Sequence, residues 1–247
     1  MQLNIYETAE ELIQQLAEYF VKLTNETVLQ DKRFSVALSG GNSPKKLYAL
    51  LASDDFKSKI VWSRIDFFFG DERYVPQTDA ASNFKMVNEV LFKPLGISEK
   101  QIFPVNTTLA PGDAASEYAV TLSSYFRHNI PQFDLILLGL GDNAHTASLF
   151  PYTSVLHETK ATVKEVFLED QQVFRITLTA PLINLAHNIA FLVYGKDKAP
   201  AVQTVLEGKG DIENFPAQLI KPISGNLVWF VDKEAASALE NTENNRH

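Results

Sequence analysis

Apolar residues follow two rhythms along this chain. After Thr8-Ala9-Glu10-Glu11, a capping box, Leu12, Ile13, Leu16, Phe20 and Leu23 recur at helical spacing and mark one face of an amphipathic helix. Short unbroken runs then alternate with such stretches: RFSVAL at 33–38, read as the first strand, IDFFF at 65–69, and LILL following Phe133 and Asp134. Runs this short and this apolar suit strands buried on both faces. A short strand is read at 102–105, further strands at 161–168, 175–179, 189–194 and 227–231. Helices are read from Pro44 (with Leu47, Leu50 and Leu51), from Ser82-Asn83 (Phe84, Val87, Val90, Leu91), over 113–129 (Tyr118, Leu122, Tyr125, Phe126), from Ala180-Pro181 and from about Lys198. Asp232 is read as the cap of a short closing helix. Strands alternating with helices predict one α/β domain over 1–240, doubly wound around a mainly parallel sheet. Residues 241–247 are polar and read as a frayed tail.

Composition narrows the function classes. The 247 residues are 45% hydrophobic and 21% charged, as expected of a protein with a real core. No cysteine is present, so disulfides, thiolate chemistry and Cys-ligated metals are out, and a reducing, cytoplasmic setting fits. The start, MQLNIYETAEELIQQ, has no basic region followed by an apolar core, and no stretch approaches the ~18 apolar residues of a membrane span, so neither signal peptide nor membrane partner is expected. A formal net charge of −8 argues against a nucleic-acid binder but leaves room for a small anion held by a local cluster of cations.

Candidate chemistry gathers where strands end. The stretch 133–151, FDLILLGLGDNAHTASLFP, runs from a strand through Gly139 and Gly141 into a polar cluster. Asp142 or Asn143 is read as the cap of a short helix that Pro151 stops. A free histidine titrates near working pH, which makes His145 a proton-transfer candidate, although a lone histidine also serves as a cap. After the first strand, Gly40-Gly41-Asn42-Ser43-Pro44 places two glycines beside a helix start, with Ser43 read as N-cap and Pro44 at the first helical position. Free N–H groups there favour a phosphate. The spacing fits neither Walker A nor GxGxxG, and a tight turn without a ligand is the alternative. Gly70-Asp71-Glu72-Arg73 follows IDFFF. Asp71 there can orient a histidine or water and Arg73 can hold a phosphate, whereas the plainer reading is a surface Glu72–Arg73 pair. Asn83 either caps its helix or faces the site. Lys198 opens a helix against that helix's dipole, an arrangement that a nearby anion would favour.

Four blocks resemble the 6-phosphogluconolactonases, within the superfamily that also holds glucosamine-6-phosphate isomerase/deaminases: LSGGNSPKKLY at 38–48, FFFGDERYVP at 67–76 with SNF at 82–84, LGLGDNAHTASLFP at 138–151, and RITLTAPLINLAHNIAFLVYGKDKA at 175–199. The resemblance implies a Rossmann-like α/β/α sandwich and hydrolysis of 6-phospho-D-glucono-1,5-lactone to 6-phosphogluconate. It implies His145 as the base that activates water, with Asp71 positioning or polarising the reacting groups. Arg73, Arg175 and Lys198, with Gly40, Gly41, Asn42, Ser43 and Asn83, then hold phosphate or stabilise charge. No cofactor or metal is implied. One block departs from the family's G-x-G-x-D-G-H: Asn143 stands where aspartate is usual and Ala144 where glycine is usual.

Two other functions compete. The deaminases commonly carry a glutamate shortly after the histidine, in a block like HIAFNEP, and Ser148-Leu149-Phe150-Pro151 has no acid. A sugar-phosphate sensor without catalysis would not need His145 and Asp71. The sequence has no GxSxG elbow for a serine nucleophile and no HExxH for a metal. Oligomeric state is not legible.

Overall fold

The computed structural model describes residues 1–240. In chain order its regular elements are β1 (Gln2–Tyr6), α1 (Ala9–Leu29), β2 (Phe34–Leu38), α2 (Asn42–Leu51), β3 (Ile65–Phe69), β4 (Asp71–Arg73), α3 (Asn83–Val87) and α4 (Lys93–Leu95). These are followed by α5 (Pro111–Tyr125), β5 (Leu135–Leu138), β6 (Val163–Leu168), β7 (Val173–Leu178), α6 (Ala180–Ile183), β8 (Asn188–Val193), α7 (Ala199–Glu207) and β9 (Asn226–Asp232). Six strands form a parallel sheet in the order β1-β9-β8-β5-β2-β3. The apolar runs of β2, β3 and β5 are buried along their whole length, because helices cover both faces. On one face Leu12, Leu16 and Phe20 of α1 and Leu47, Tyr48 and Leu51 of α2 share a core with Val36 and Phe67. On the other, Tyr118 and Leu122 of α5 and Val202 of α7 pack with Ile136, Phe191 and Trp229. The mainly parallel α/β sheet read from the alternation, and the α/β/α sandwich that the resemblance implies, are the architecture found.

Chain direction across the sheet reverses at β2 and β5. From β2 the chain steps outward to β3, then returns to β5 and proceeds through β8 to β9. The loops leaving β2 and β5 therefore diverge, and the crevice between them is where open α/β sheets hold ligands.

Several expectations are corrected. RFSVAL is not the first strand: Gln2–Tyr6 pairs with β9 at the sheet edge, and its mixed polarity hid it. Residues 102–105 form no strand but a single bridge, in which Phe103 N–H donates to the Phe67 carbonyl. The helix expected over 113–129 spans Pro111–Tyr125, because proline suits the first turn and Arg127 and His128 take left-handed φ of 54° and 59°. Among the described residues no helix follows Asp232. Its carboxylate accepts from Ala235 N–H at 2.7 Å and from Gly195 N–H, closing turns instead. The tail read at 241–247 lies outside the described residues.

A second sheet, β4-β7-β6, is antiparallel and was not expected. Only Gly70 separates β3 from β4, so the chain leaves the main sheet and enters the small one within one residue. In that ladder Asp71 lies opposite Thr177 and Arg73 opposite Arg175. Two blocks a hundred residues apart thus become neighbours at the crevice.

Candidate active site

A cavity of about 630 Å³ opens at the carboxyl ends of β2, β5 and β8, walled by β4 and β7 of the small sheet. Gly40, Gly41, Asn42, Ser43, Asp71, Arg73, Asn83, His145, Arg175 and Lys198 all line it. Its walls also include Gly139 and Gly141, and Ser148, Phe150 and Gln171, to which the sequence pattern assigned no site role.

The loop after β2 ends with Gly41 at φ 104°, a left-handed conformation that favours glycine. Gly41, not Ser43, is the N-cap of α2, and Pro44 is the third helical residue, two positions further in than expected. Among the described residues no side chain caps this helix. Its first N–H groups face the cavity end without an intrahelical partner, as every helix start leaves them. Gly40 is needed for a different reason. A Cβ there would lie 1.7 Å from Asn83 Oδ1, so only glycine admits that amide.

Asn83 is fully buried and lines the cavity, while the cap of α3 is Ser82, whose Oγ accepts from Lys85 N–H at 3.1 Å. Asn83 Nδ2 donates to the Asp71 carbonyl at 2.9 Å and to Asp71 Oδ1 at 3.2 Å. Among the described residues its Oδ1 has no hydrogen-bond partner. Glu72 makes no surface pair with Arg73. It is buried, and its carboxylate accepts from the N–H groups of Arg73, Asn83 and Phe84 and from Ser82 Oγ. Burial pushes its carboxyl up, and the backbone donors pull against that. Arg73 Nη1 donates to the Ala81 carbonyl at 2.8 Å, which fixes the guanidinium at the cavity wall. Arg175 faces it across the ladder. Burial, and after it the Arg73 charge, hold the Arg175 guanidinium below its usual pKa. Two cations opposite each other in one wall form a place that an anion relieves.

The short helix expected after β5 is absent. Ala144 and Ala147 take φ of 56° and 47°, which no helix accommodates, and the chain forms successive tight turns. Gly141 N–H donates to the His145 carbonyl at 2.8 Å, Ala144 N–H to the Gly141 carbonyl at 2.9 Å, and Thr146 Oγ1 to the Gly139 carbonyl at 2.8 Å. A Cβ on Gly141 would lie 2.1 Å from the His145 ring, so this glycine makes room for the imidazole. The ring stacks on Phe150, centroids 4.0 Å apart and 20° between planes.

Asn143 orients that ring. Its Oδ1 lies 2.5 Å from His145 Nδ1 and 3.3 Å from His145 N–H. An amide oxygen only accepts, so Nδ1 carries the proton and Nε2 is left as the acceptor. Asparagine at this position holds the ring through its amide oxygen and adds no charge beside it. His145 is held at about 4, lowered mainly by burial; Asp71 and Asp142 raise it, Lys198 and Arg175 lower it further.

Lys198 is less free than its sequence position suggested. It precedes α7, and its Nζ is ion-paired with Asp142 and lies 3.8 Å from Asp197 Oδ2. A phosphate reaching Lys198 competes with Asp142.

The sequence profile described as glucosamine-6-phosphate isomerases/6-phosphogluconolactonase matches residues 7–229. The chain belongs to this family. A 6-phosphogluconolactonase of a Synechocystis strain is 39% identical over 209 residues, covering 83% of this chain and 84% of that protein. The structure of 6-phosphogluconolactonase from Trypanosoma cruzi superposes with a TM-score of 0.85 at 26% identity, over 97% of each chain. A monomeric glucosamine-6-phosphate deaminase shares the fold, with a TM-score of 0.82 at 24% identity over 96% of this chain and all of that one. Family membership explains why the glycine loop, the Asp71 strand and the His145 loop converge: the fold brings together the strand ends from which all three leave.

Proposed function

We propose that this site hydrolyses the ring ester of 6-phospho-D-glucono-1,5-lactone to 6-phosphogluconate. The observation that carries this reading is His145, with Nδ1 satisfied by Asn143 and Nε2 left as an acceptor, in a cavity that also presents Asp71, Arg73 and Arg175. Ester hydrolysis needs an activated water and a place for a tetrahedral oxyanion. His145 Nε2 takes a proton as the water oxygen bonds to the lactone carbonyl carbon. The oxyanion collapses, the bond from that carbon to the ring oxygen breaks, and His145 returns the proton to the departing oxygen. The new carboxylic acid then loses its own proton to water. Asp71 stabilises the imidazolium between these steps. Arg73, Arg175 and Lys198 share the phosphate and the oxyanion with the N-terminus of α2.

The deaminase reading is weaker on the same geometry. Among the described residues no glutamate lines the cavity, and the acids in it are Asp71 and Asp197. A sensor would have no need of an oriented, neutral imidazole. No helix among the described residues is long and apolar enough to cross a membrane, and a cytoplasmic location belongs to the proposal. The deciding experiment is lactone hydrolysis followed with purified protein and corrected for the spontaneous rate. Turnover above background supports the reading; saturable binding of 6-phosphogluconate without turnover replaces it with the sensor.

A further inference from the structure

Ser148 is fully buried, and its hydroxyl is committed. Oγ donates to Asp71 Oδ2 at 2.7 Å. Its N–H donates to Thr177 Oγ1 at 3.2 Å, and Thr177 Oγ1 donates to the Leu178 carbonyl at 2.9 Å. Thr177 is the residue directly opposite Asp71 in the β4–β7 ladder. Ser148 thus ties its own turn to both strands of that ladder, by its hydroxyl to Asp71 and by its N–H to Thr177, and it lies three residues after His145. Asp71 has no lysine, arginine or histidine within ion-pair distance among the described residues. Its carboxylate oxygens are held by two neutral donors, Ser148 Oγ and Asn83 Nδ2.

We propose that Ser148 is a positioning residue that ties the His145 turn to the Asp71 carboxylate and sets how strongly that charge acts on the imidazole. This rests on the reading of His145 as the base. A hydroxyl at 2.7 Å fixes the rotation of a carboxylate, and the backbone of Ser148 fixes the distance between turn and strand. Charged groups facing His145 are Asp71 from β4, Arg175 from β7, Lys198 before α7 and Asp142 on its own turn. Asp71 in turn acts on Tyr48 of α2, on Glu72 beside it and on Arg175. Of these, Asp71 is the one whose placement Ser148 controls. With Ser148 Oγ gone, Asp71 favours the imidazolium less, so the base titrates lower and its protonated form, needed for the leaving oxygen, is harder to reach.

The test compares Ser148→Ala and the near-isosteric Thr177→Val with wild type, using kcat and KM from pH 3.5 to 8 and an NMR titration of the His145 ring. The expected result for Ser148→Ala is a kcat lowered about tenfold or more with KM little changed, and a His145 titration moved to lower pH. Thr177→Val should show the same directions with smaller amplitude. In an Asp71→Asn background Ser148→Ala should no longer move the titration. A purely structural role would lower the melting temperature and the active fraction while leaving the titration in place; that result, in whichever variant folds, overturns the proposal. A shift that persists in the Asp71→Asn background also overturns it. If His145→Ala retains kcat, the His145 reading itself fails, and the Ser148 role falls with it.

Discussion

At the scale of single residues, the site is a neutral imidazole held among charges of both signs. His145→Ala should lower kcat by about two to four orders of magnitude, the usual worth of a positioned acid–base group, while affinity for 6-phosphogluconate changes much less. Near-normal turnover in that variant would remove the general base from the mechanism. Asn143 offers a sharper test. It supplies orientation through Oδ1 but no charge, and burial holds His145 at about 4. Asn143→Asp adds a negative charge beside Nδ1, stabilises the imidazolium and raises that pKa. Only the neutral ring acts as base, so the acidic limb of kcat/KM should move upward in pH, with little loss near pH 8. A limb that stays put shows that position 143 orients without coupling. Among the cations, Arg73→Ala should raise KM for the phosphorylated lactone by roughly tenfold to a hundredfold, the equivalent of a charge-assisted hydrogen bond of about 1.5–3 kcal/mol, and leave unphosphorylated gluconolactone nearly unaffected. Equal losses on both lactones would assign Arg73 to the oxyanion or the scaffold. Lys198→Ala is a mixed experiment, because it also frees Asp142.

At the scale of elements, the turn between β5 and β6 is the part on which the proposed mechanism depends. Its left-handed alanines and its chain of turn hydrogen bonds keep it from becoming a helix, and Gly141 leaves space for the ring it faces. Gly141→Ala puts a methyl 2.1 Å from His145, so the imidazole must move off Asn143 and Phe150. A displacement of about 1 Å at a reacting group costs on the order of a hundredfold in rate. The expected outcome is a kcat loss of that order with a melting temperature within a few degrees of wild type, since no core side chain is removed. Wild-type turnover in Gly141→Ala would mean that the ring position is not critical. The glycine at position 40 plays the parallel part for Asn83, which is why two loops with no sequence relation use glycine at the same end of the sheet.

At the scale of the whole molecule, two sheets meet at one edge of a cavity, and the protein's stability carries the mark of the site. The folded His145 titrates near 4, and an unfolded histidine near 6.5. Between these values the unfolded chain binds a proton that the folded chain does not. The contribution is therefore fully present above about pH 6.5 and is lost as pH falls toward 4, amounting to about 3 kcal/mol at most. The stability difference between wild type and His145→Ala, measured by denaturant unfolding, should shrink by roughly that amount on going from pH 7 to pH 4. A difference that stays constant with pH would show that the ring is not held neutral by burial.

Much of this was local and therefore legible. The order of strands and helices follows from short apolar runs against helical spacing, and the places where β2, β3 and β5 end are marked by glycine beside polar residues. The residues that a family resemblance assigned to the site do converge on one cavity, because strand ends in a parallel sheet point the same way. What depended on pairings distant in sequence was not legible. Asp71 and Ser148 are 77 positions apart, and Lys198 and Asp142 are 56 apart. The antiparallel sheet that sets Arg73 against Arg175 exists only once β4 leaves the main sheet at Gly70. Glu72 reads as a surface acid beside an arginine until burial and four donors make it an internal cap. The helix expected after β5 failed because Ala144 and Ala147 adopt backbone angles that residue type alone does not announce. Local sequence was enough for the layers and for the end of the sheet at which the candidate site residues gather. The tertiary structure decided which donor faces which acceptor there, since hydrogen-bond partners and burial are set by chain segments that meet only in the folded state.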